Sequence, residues 1–545
     1  MVQLTAAQVK SYASQDYQFM RLVIAKPPIA SAKIIITRMR RFFILFALII
    51  LACQALAPQA GSPSPSPSPS PSASLAPTLT SSPTPLHLPL PSETIVPTPE
   101  PEATYASRFH PDGDLYVSDI VSLEIIAPVR QEPEGSQVQA GLIEPVSEDL
   151  GTADFRPYGI AGRYQATMQW VWDTSHLEPG AYTLEFMVKP DGPSWTETLT
   201  LHPQSQIPPP EPEAHWEDVE IECCILYYIT GTQSERDLLE LLEITEEQAE
   251  AAAQNIKTEF DRPVPITLLP RVLGHGGFAG EEIYVSYLDR NYAGSNFGLV
   301  VHHEMIHILD NRLGGELRPS ILVEGLAVYL SGGHFKTEPV FSRAAALLDL
   351  GWYIPLPTLT DNFYASQHEI GYIEGGALVH YLVRTYGWEA FSEFYRDIRP
   401  VEDGSQSDAI DRALQDHFDL TLSQLDSRFR VALTRQQVIP DLRDDVRLTV
   451  AFYNTVRRYQ QLLDPSAYFL TAWLPSGEQM RERDIVADYL RHPTSVENVV
   501  LEKMLVEADE HLRAGRYPEA EVLISGVNVA LSQLDDPAID PVAAH

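Results

Sequence analysis

At 545 residues the chain is longer than one hydrophobic core organises, so roughly two to four domains are expected. Asp and Glu outnumber Lys and Arg by 74 to 38, a net charge of −36, which excludes nucleic acid as a partner because phosphate contacts need clustered positive charge. The apolar share of 44% is enough for a sizeable core, and the acidity reads as solubility in an exposed compartment.

Arg38, Arg40 and Arg41 precede FFILFALIILA, eleven apolar residues from Phe42 to Ala52, and then Cys53. That run is too short for a helix crossing a hydrocarbon core of ~30 Å and suits the apolar region of a signal peptide, about 7–15 residues. Ile50-Leu51-Ala52-Cys53 resembles a bacterial lipobox, which implies lipidation at Cys53 and an exported membrane lipoprotein facing outward. Cleavage after Ala57 and retention of the run as an anchor helix are the alternatives. Residues 1–53 are thus read as a leader, with 1–38 an upstream mis-start because Met39 stands where a leader begins. Residues 54–103, with SPSPSPSPSPS and PTPEPEA, are expected to form an extended, solvated stalk without a core of their own.

From 104 to 205 apolar residues alternate with polar ones. Tyr164, Ala166, Met168 and Trp170 make one run and Tyr182, Leu184, Phe186 and Val188 another, with Pro179-Gly180 as a turn between them. An immunoglobulin-like β-sandwich is expected. A Pro-rich linker, 206–216, leads into an α+β domain over 217–437: strands CILYYIT, VPITLL and EEIYVSYL, a helix EEQAEAAAQNIKTEF, and a mostly helical lower half. Adjacent Cys223 and Cys224 imply neither a disulfide framework nor a zinc pattern. Residues 438–545 read as an all-α region in which Ala508, Leu512, Gly515, Tyr517 and Ala520 resemble one tetratricopeptide hairpin. A single repeat cannot bury its own face, so this region is expected to pack as an appendix.

The chemistry concentrates in VVHHEMIHILDNRLGG, Val300 to Gly315. On a helix His303 and His307 share one face, so both imidazoles can aim at one point. Zinc suits that point, taking nitrogen donors at about 2.0–2.1 Å, and Glu304 beside it is placed as a base toward water at the metal. His302 faces another side. Asp310 is placed to orient a ligand imidazole or to act as a solvated cap, and His334 reads as a loop histidine.

A third ligand is needed. Leu313 occupies the position where a metzincin carries histidine, whereas Glu324 follows His307 by seventeen residues in LVEGLAVYL. The succession of His-Glu-Met-Ile-His, Glu-Gly-Leu-Ala, the loop IPLPTL and then YIEGGALVHYLVRTYG over 217–437 resembles the bacterial peptidase MA-like family of gluzincin metallopeptidases. The resemblance implies one Zn²⁺ held by His303, His307 and Glu324, Glu304 as catalytic base, and Tyr372 as hydrogen-bond donor to the oxyanion, with His368 as the runner-up. Related aminopeptidases hold the substrate's free amine through Met-Glu-Asn on a Gly-rich strand. Here GGFAGEEIYVSYL has Phe278-Ala279 in that place, with Glu281 and Glu282 shifted, so an endopeptidase acting on peptides or proteins is expected before an aminopeptidase. The competing expectation is a catalytically silent surface binding or scaffolding protein built on the same fold.

Overall fold

Period-two alternation yields nine short strands at the start of the computed structural model, which describes residues 104–128, 135–294 and 296–534. They are β1 (Ala106–His110), β2 (Leu115–Tyr116), β3 (Ile120–Ile126), β4 (Gln137–Glu144), β5 (Glu148–Asp154), β6 (Arg156–Tyr158), β7 (Arg163–Asp173), β8 (Gly180–Lys189) and β9 (Ser194–His202). Two sheets form, ordered β1-β3-β7-β6 and β2-β9-β8-β4-β5. Their inward residues, among them Leu123, Ile125, Met168 and Trp172 from one sheet and Val138, Leu184, Phe186 and Val188 from the other, share a single core. The turn expected at Pro179-Gly180 does not close a hairpin. β7 and β8 lie in opposite sheets, because both strands point alternate residues into one core from its two sides, and β8 pairs instead with β4 and β9.

A second sheet region follows: β10 (Trp216–Glu220), β11 (Cys224–Ile229), β12 (Val264–Leu269), β13 (Gly277–Ala279) and β14 (Ile283–Ser286), ordered β10-β11-β12-β14-β13. β11, β12 and β14 run parallel, while the edges β10 and β13 are antiparallel to their neighbours. The crossover between β11 and β12 contains helix α1 (Leu238–Ile256). Helices then take over: α2 (Phe297–Leu313), α3 (Ser320–Ser331), α4 (Val340–Leu350), α5 (Leu356–Asp361), α6 (His368–Tyr386), α7 (Trp388–Arg396), α8 (Gln406–Phe418) and α9 (Leu422–Leu433). Local chemistry sets their ends. Asn296 caps α2 by accepting the Leu299 N–H at 3.0 Å, and α3 stops at Gly332, whose φ of +83° is the left-handed conformation a glycine tolerates.

The last stretch is helical, with α10 (Pro440–Leu463), α11 (Val496–Arg513) and α12 (Tyr517–Leu531) as its long members. Ala508, Leu512 and Ala520 are fully buried where α11 meets α12. These helices share their core with Val272, Tyr292 and Phe335 of the preceding region. Trp473, beyond α10, stacks on His110 of β1 with ring centroids 4.0 Å apart. Among the described residues, no helix is long and apolar enough to cross a membrane. The leader, the stalk and Cys53 lie outside the described residues.

Candidate active site

Apolar burial fixes α2 in place. Val301, Met305, Ile306 and Leu309 are buried in the same core as β12 and β14, which leaves His303, Glu304 and His307 along one flank. Edge strand β13 lies over that flank so tightly that a Cβ on Gly277 would come within 2.5 Å of Val300 Cγ1 and 3.6 Å of Glu304 Cγ. The sequence answers this close approach with glycine. The Ala279 N–H of the same strand hydrogen-bonds the Glu304 carboxylate.

Helix α3 brings Glu324 to the imidazoles. Its Oε2 lies 3.3 Å from His303 Nε2 and 3.2 Å from His307 Nε2, and one ligand atom from each of the three residues falls within 4.8 Å of the others. The other oxygen, Oε1, accepts a 2.6 Å hydrogen bond from the Tyr364 hydroxyl. Tyr372 of α6 stands next to this group, its ring centroid 6.2 Å from that of His303.

Burial disfavours charge throughout the site, and the neighbours decide each outcome. It pulls the His303 imidazole down to about 4, with Glu324 opposing. It pulls on His307 too, but Glu324 outweighs it and holds that imidazole at about 9. Burial pushes Glu324 up, and the two imidazoles more than reverse this, leaving it well below the usual carboxylate range. Glu304, with less compensation, is pushed up to about 7. Burial raises the Tyr372 phenol well above its ordinary value, so it stays a hydrogen-bond donor.

Two imidazole nitrogens and a carboxylate oxygen converging from one side form a donor set suited to zinc. The opposite nitrogen of His307, Nδ1, is buried without a partner. Asp310 does not supply that partner. Its Oδ2 is taken by Arg318 at 2.6 Å and by the Tyr395 hydroxyl at 2.8 Å, its Oδ1 is buried with no hydrogen-bond partner among the described residues, and its charge favours the protonated form of His307. His302 faces away, bonded to Gln248 at 2.9 Å. His368 makes no hydrogen bond at either ring nitrogen and stacks on His275 with centroids 4.0 Å apart.

His334 lies in a loop outside the ligand triad, as expected, and yet it joins the site. Its Nδ1 lies 2.7 Å from Oε2 of fully buried Glu369, which Arg343 holds through the other oxygen at 3.1 Å. Its ring sits 4.3 Å from that of Tyr372. Both histidine and tyrosine line a cavity of about 60 Å³ together with Glu304, His303, His275, Tyr453 and Phe469. A space of that size takes a few waters. Tyr364, His275, Tyr453 and Phe469 carried no motif in the sequence. His334 was visible, but Glu369, its orienting partner, lies 35 residues on, in α6.

No family model matches the chain, and no curated protein does. Among solved structures, an aminopeptidase N family protein from Idiomarina loihiensis is similar with a TM-score of 0.28 and 9% identity, over 63% of this chain and 78% of that one. A likeness so slight leaves the case to the residues themselves.

Proposed function

We propose that the chain is a zinc-dependent peptidase of gluzincin type, cutting peptide bonds with a water activated beside Glu304. The observation that carries this is the convergence of His303, His307 and Glu324 within 4.8 Å, with a buried carboxylate one residue along the same helix. A zinc ion held by these three supplies Lewis acidity toward a carbonyl oxygen and toward water. Glu304, oriented by the Ala279 N–H, takes the proton from that water and returns it to the leaving amine. The Tyr372 hydroxyl donates toward the carbonyl oxygen on which charge develops, a contribution of about 3 kcal/mol. β13 is an edge strand of its sheet, so an extended substrate can add to the sheet there.

Two observations favour an endopeptidase over an aminopeptidase. Among the described residues lining the cavity, Glu304 is the only acid, so none is spare to hold a free amine. Glu282, one of the two shifted candidates, is an ion-pair partner of Arg481 at 2.9 Å. The two-sheet module reads as an Ig-like spacer, and Cys53 as the lipidated tether of an exported protein.

The test has two stages. Purified full-length chain is expected to hold one zinc per molecule, and Glu324→Ala to lose it; a parent chain without zinc sinks the proposal. A peptide-library digest then compares the parent with Glu304→Gln, which is expected to retain zinc and lose cleavage. Equal cleavage by both removes Glu304 as the base. For the tether, Cys53→Ser is expected to release the protein from membranes.

A further inference from the structure

Part of the cavity wall is supplied from far along the chain. Tyr453 sits on α10, Phe469 follows it, His275 lies in the loop between β12 and β13, and His368 opens α6; Arg457, also on α10, lies against the Phe469 ring. Fully buried Gln460 couples them: its amide donates to the Gly274 carbonyl at 2.8 Å and accepts the Phe469 N–H at 3.3 Å.

Arg457 is unlike the fully buried arginines. Arg271 holds Asp112 and Asp464, Arg491 holds Asp119 and Glu211, and Arg343 holds Glu338, Glu369 and Asp445. Arg457 is half-buried, and among the described residues it has no carboxylate partner. Its Nε and Nη2 are sealed from solvent without a hydrogen-bond partner, and so are both ring nitrogens of His275 and both of His368, six nitrogens in all. The charged and titratable groups that face Arg457 are Tyr468, Tyr372, His275 and His368, none of them an acid. These groups are contiguous. The guanidinium carbon lies 4.5 Å from the Phe469 ring centre, and that ring lies 4.3 Å from His275 and 4.8 Å from His368.

A guanidinium with two nitrogens sealed from water and no counter-ion is costly, and the four unpartnered imidazole nitrogens near it compound the cost. An anion relieves both, and a planar guanidinium matches the geometry of a carboxylate. The ring of His368 is 4.5 Å from that of Tyr372, little more than the length of one extended residue, about 3.3–3.6 Å. We propose that Arg457, His275 and His368 form an anion subsite that takes a carboxylate of the substrate next to the bond being cut. The carboxylate is either an acidic side chain, in keeping with internal cleavage, or the free C-terminus of a peptide, in which case cleavage is at the C-terminal end and not internal. Its place beside the scissile bond rests on the peptidase reading, while its preference for an anion does not.

The experiment uses the full-length chain and three N-acetylated peptide libraries. One has free C-termini, the second is its C-terminally amidated counterpart, and the third is amidated but carries Glu at varied positions. Either the first or the third is expected to exceed the plain amidated library in kcat/KM by about ten- to a hundredfold, the range of one charged hydrogen-bond set, and which one does identifies the source of the carboxylate. Arg457→Gln is expected to erase that gap and Arg457→Lys to keep part of it. In parallel, calorimetry on Glu304→Gln measures binding of an N-acetyl dipeptide and of its amide. Equal cleavage of all three libraries overturns the subsite and leaves the peptidase reading standing. Absence of cleavage with Arg457-dependent binding of the free dipeptide supports the subsite and overturns hydrolysis. Neither cleavage nor binding overturns both.

Discussion

Tyr364 fixes one oxygen of Glu324 at 2.6 Å, which turns the other toward His303 and His307. A partner of this kind sets ligand orientation and basicity, and its loss typically lowers metal affinity about 10–100-fold. Tyr364→Phe is therefore expected to weaken zinc binding by that factor in a chelator competition, with the fold intact by circular dichroism; unchanged affinity removes Tyr364 from the site. Tyr372→Phe separates from it cleanly. Tyr372 makes no hydrogen bond to the ligand triad, so Tyr372→Phe is expected to retain zinc while kcat falls about a hundredfold and KM changes little, the signature of an interaction made in the transition state. The pair also marks the reach of sequence reading. His303, Glu304, His307 and Glu324 are legible because helix periodicity and one family-like spacing place them. Tyr364 sits in DNFYASQ, a stretch with no periodic or motif signal, and its role arises only when the turn after α5 folds back over α3. Arg457 is less legible still, because a lone arginine on an amphipathic helix reads as solvated surface.

Helices α3 and α6 cross without room for side chains. A Cβ on Gly325 would press into the Gly375 backbone, 2.6 Å from its carbonyl carbon, and one on Gly375 would lie 2.9 Å from the Ile321 carbonyl oxygen. This contact sets how far Glu324, on α3, stands from Tyr372, on α6. Gly325→Ala must push the helices apart, so it is expected to destabilise the chain by about 1–3 kcal/mol and to weaken zinc binding in the surviving folded fraction. Urea unfolding and metal titration of the same sample check both; a variant as stable as the parent refutes the crossing. The helical periods and the letters Glu-Gly-Leu-Ala and Glu-Gly-Gly are plain in the sequence, but the reason for the glycines is an approach between two elements about fifty residues apart. Partner choice among strands was hidden in the same way. Alternation shows that β7 and β8 each have a buried face, and it is silent on whether they share a sheet, so the turn at Pro179-Gly180 proves to join strands of two sheets.

At the scale of the molecule, the two-sheet module and the C-terminal helices are joined through buried charge. Arg491 spans Asp119 of the module and Glu211 of the Pro-rich segment, and Arg271 spans Asp112 and Asp464. His110 takes part from the module side. It stacks on Trp473 at 4.0 Å and hydrogen-bonds Glu124 at 3.1 Å, while Arg163 bonds the other Glu124 oxygen at 2.8 Å. Burial pushes the Glu124 carboxyl up, but the hydrogen bond and charge of His110, with Arg163 and Arg108, hold it at about 2 against an ordinary 4.5. A carboxyl lowered in the folded state binds protons more readily when unfolded. Its stabilisation is complete above about 4.5 and disappears as pH falls toward 2, a difference of about 3 kcal/mol. Glu124→Gln cannot titrate, so the stability gap between parent and variant is expected to shrink by that amount between pH 5 and 2 in urea unfolding. A gap independent of pH refutes the lowered carboxyl. Because His110 links Glu124 to Trp473, the loss is expected to appear in one cooperative transition that unfolds the module and the C-terminal helices together. Two separable transitions, with only the first responding to Glu124→Gln, instead make the module an independent unit and the stacked pair a surface contact.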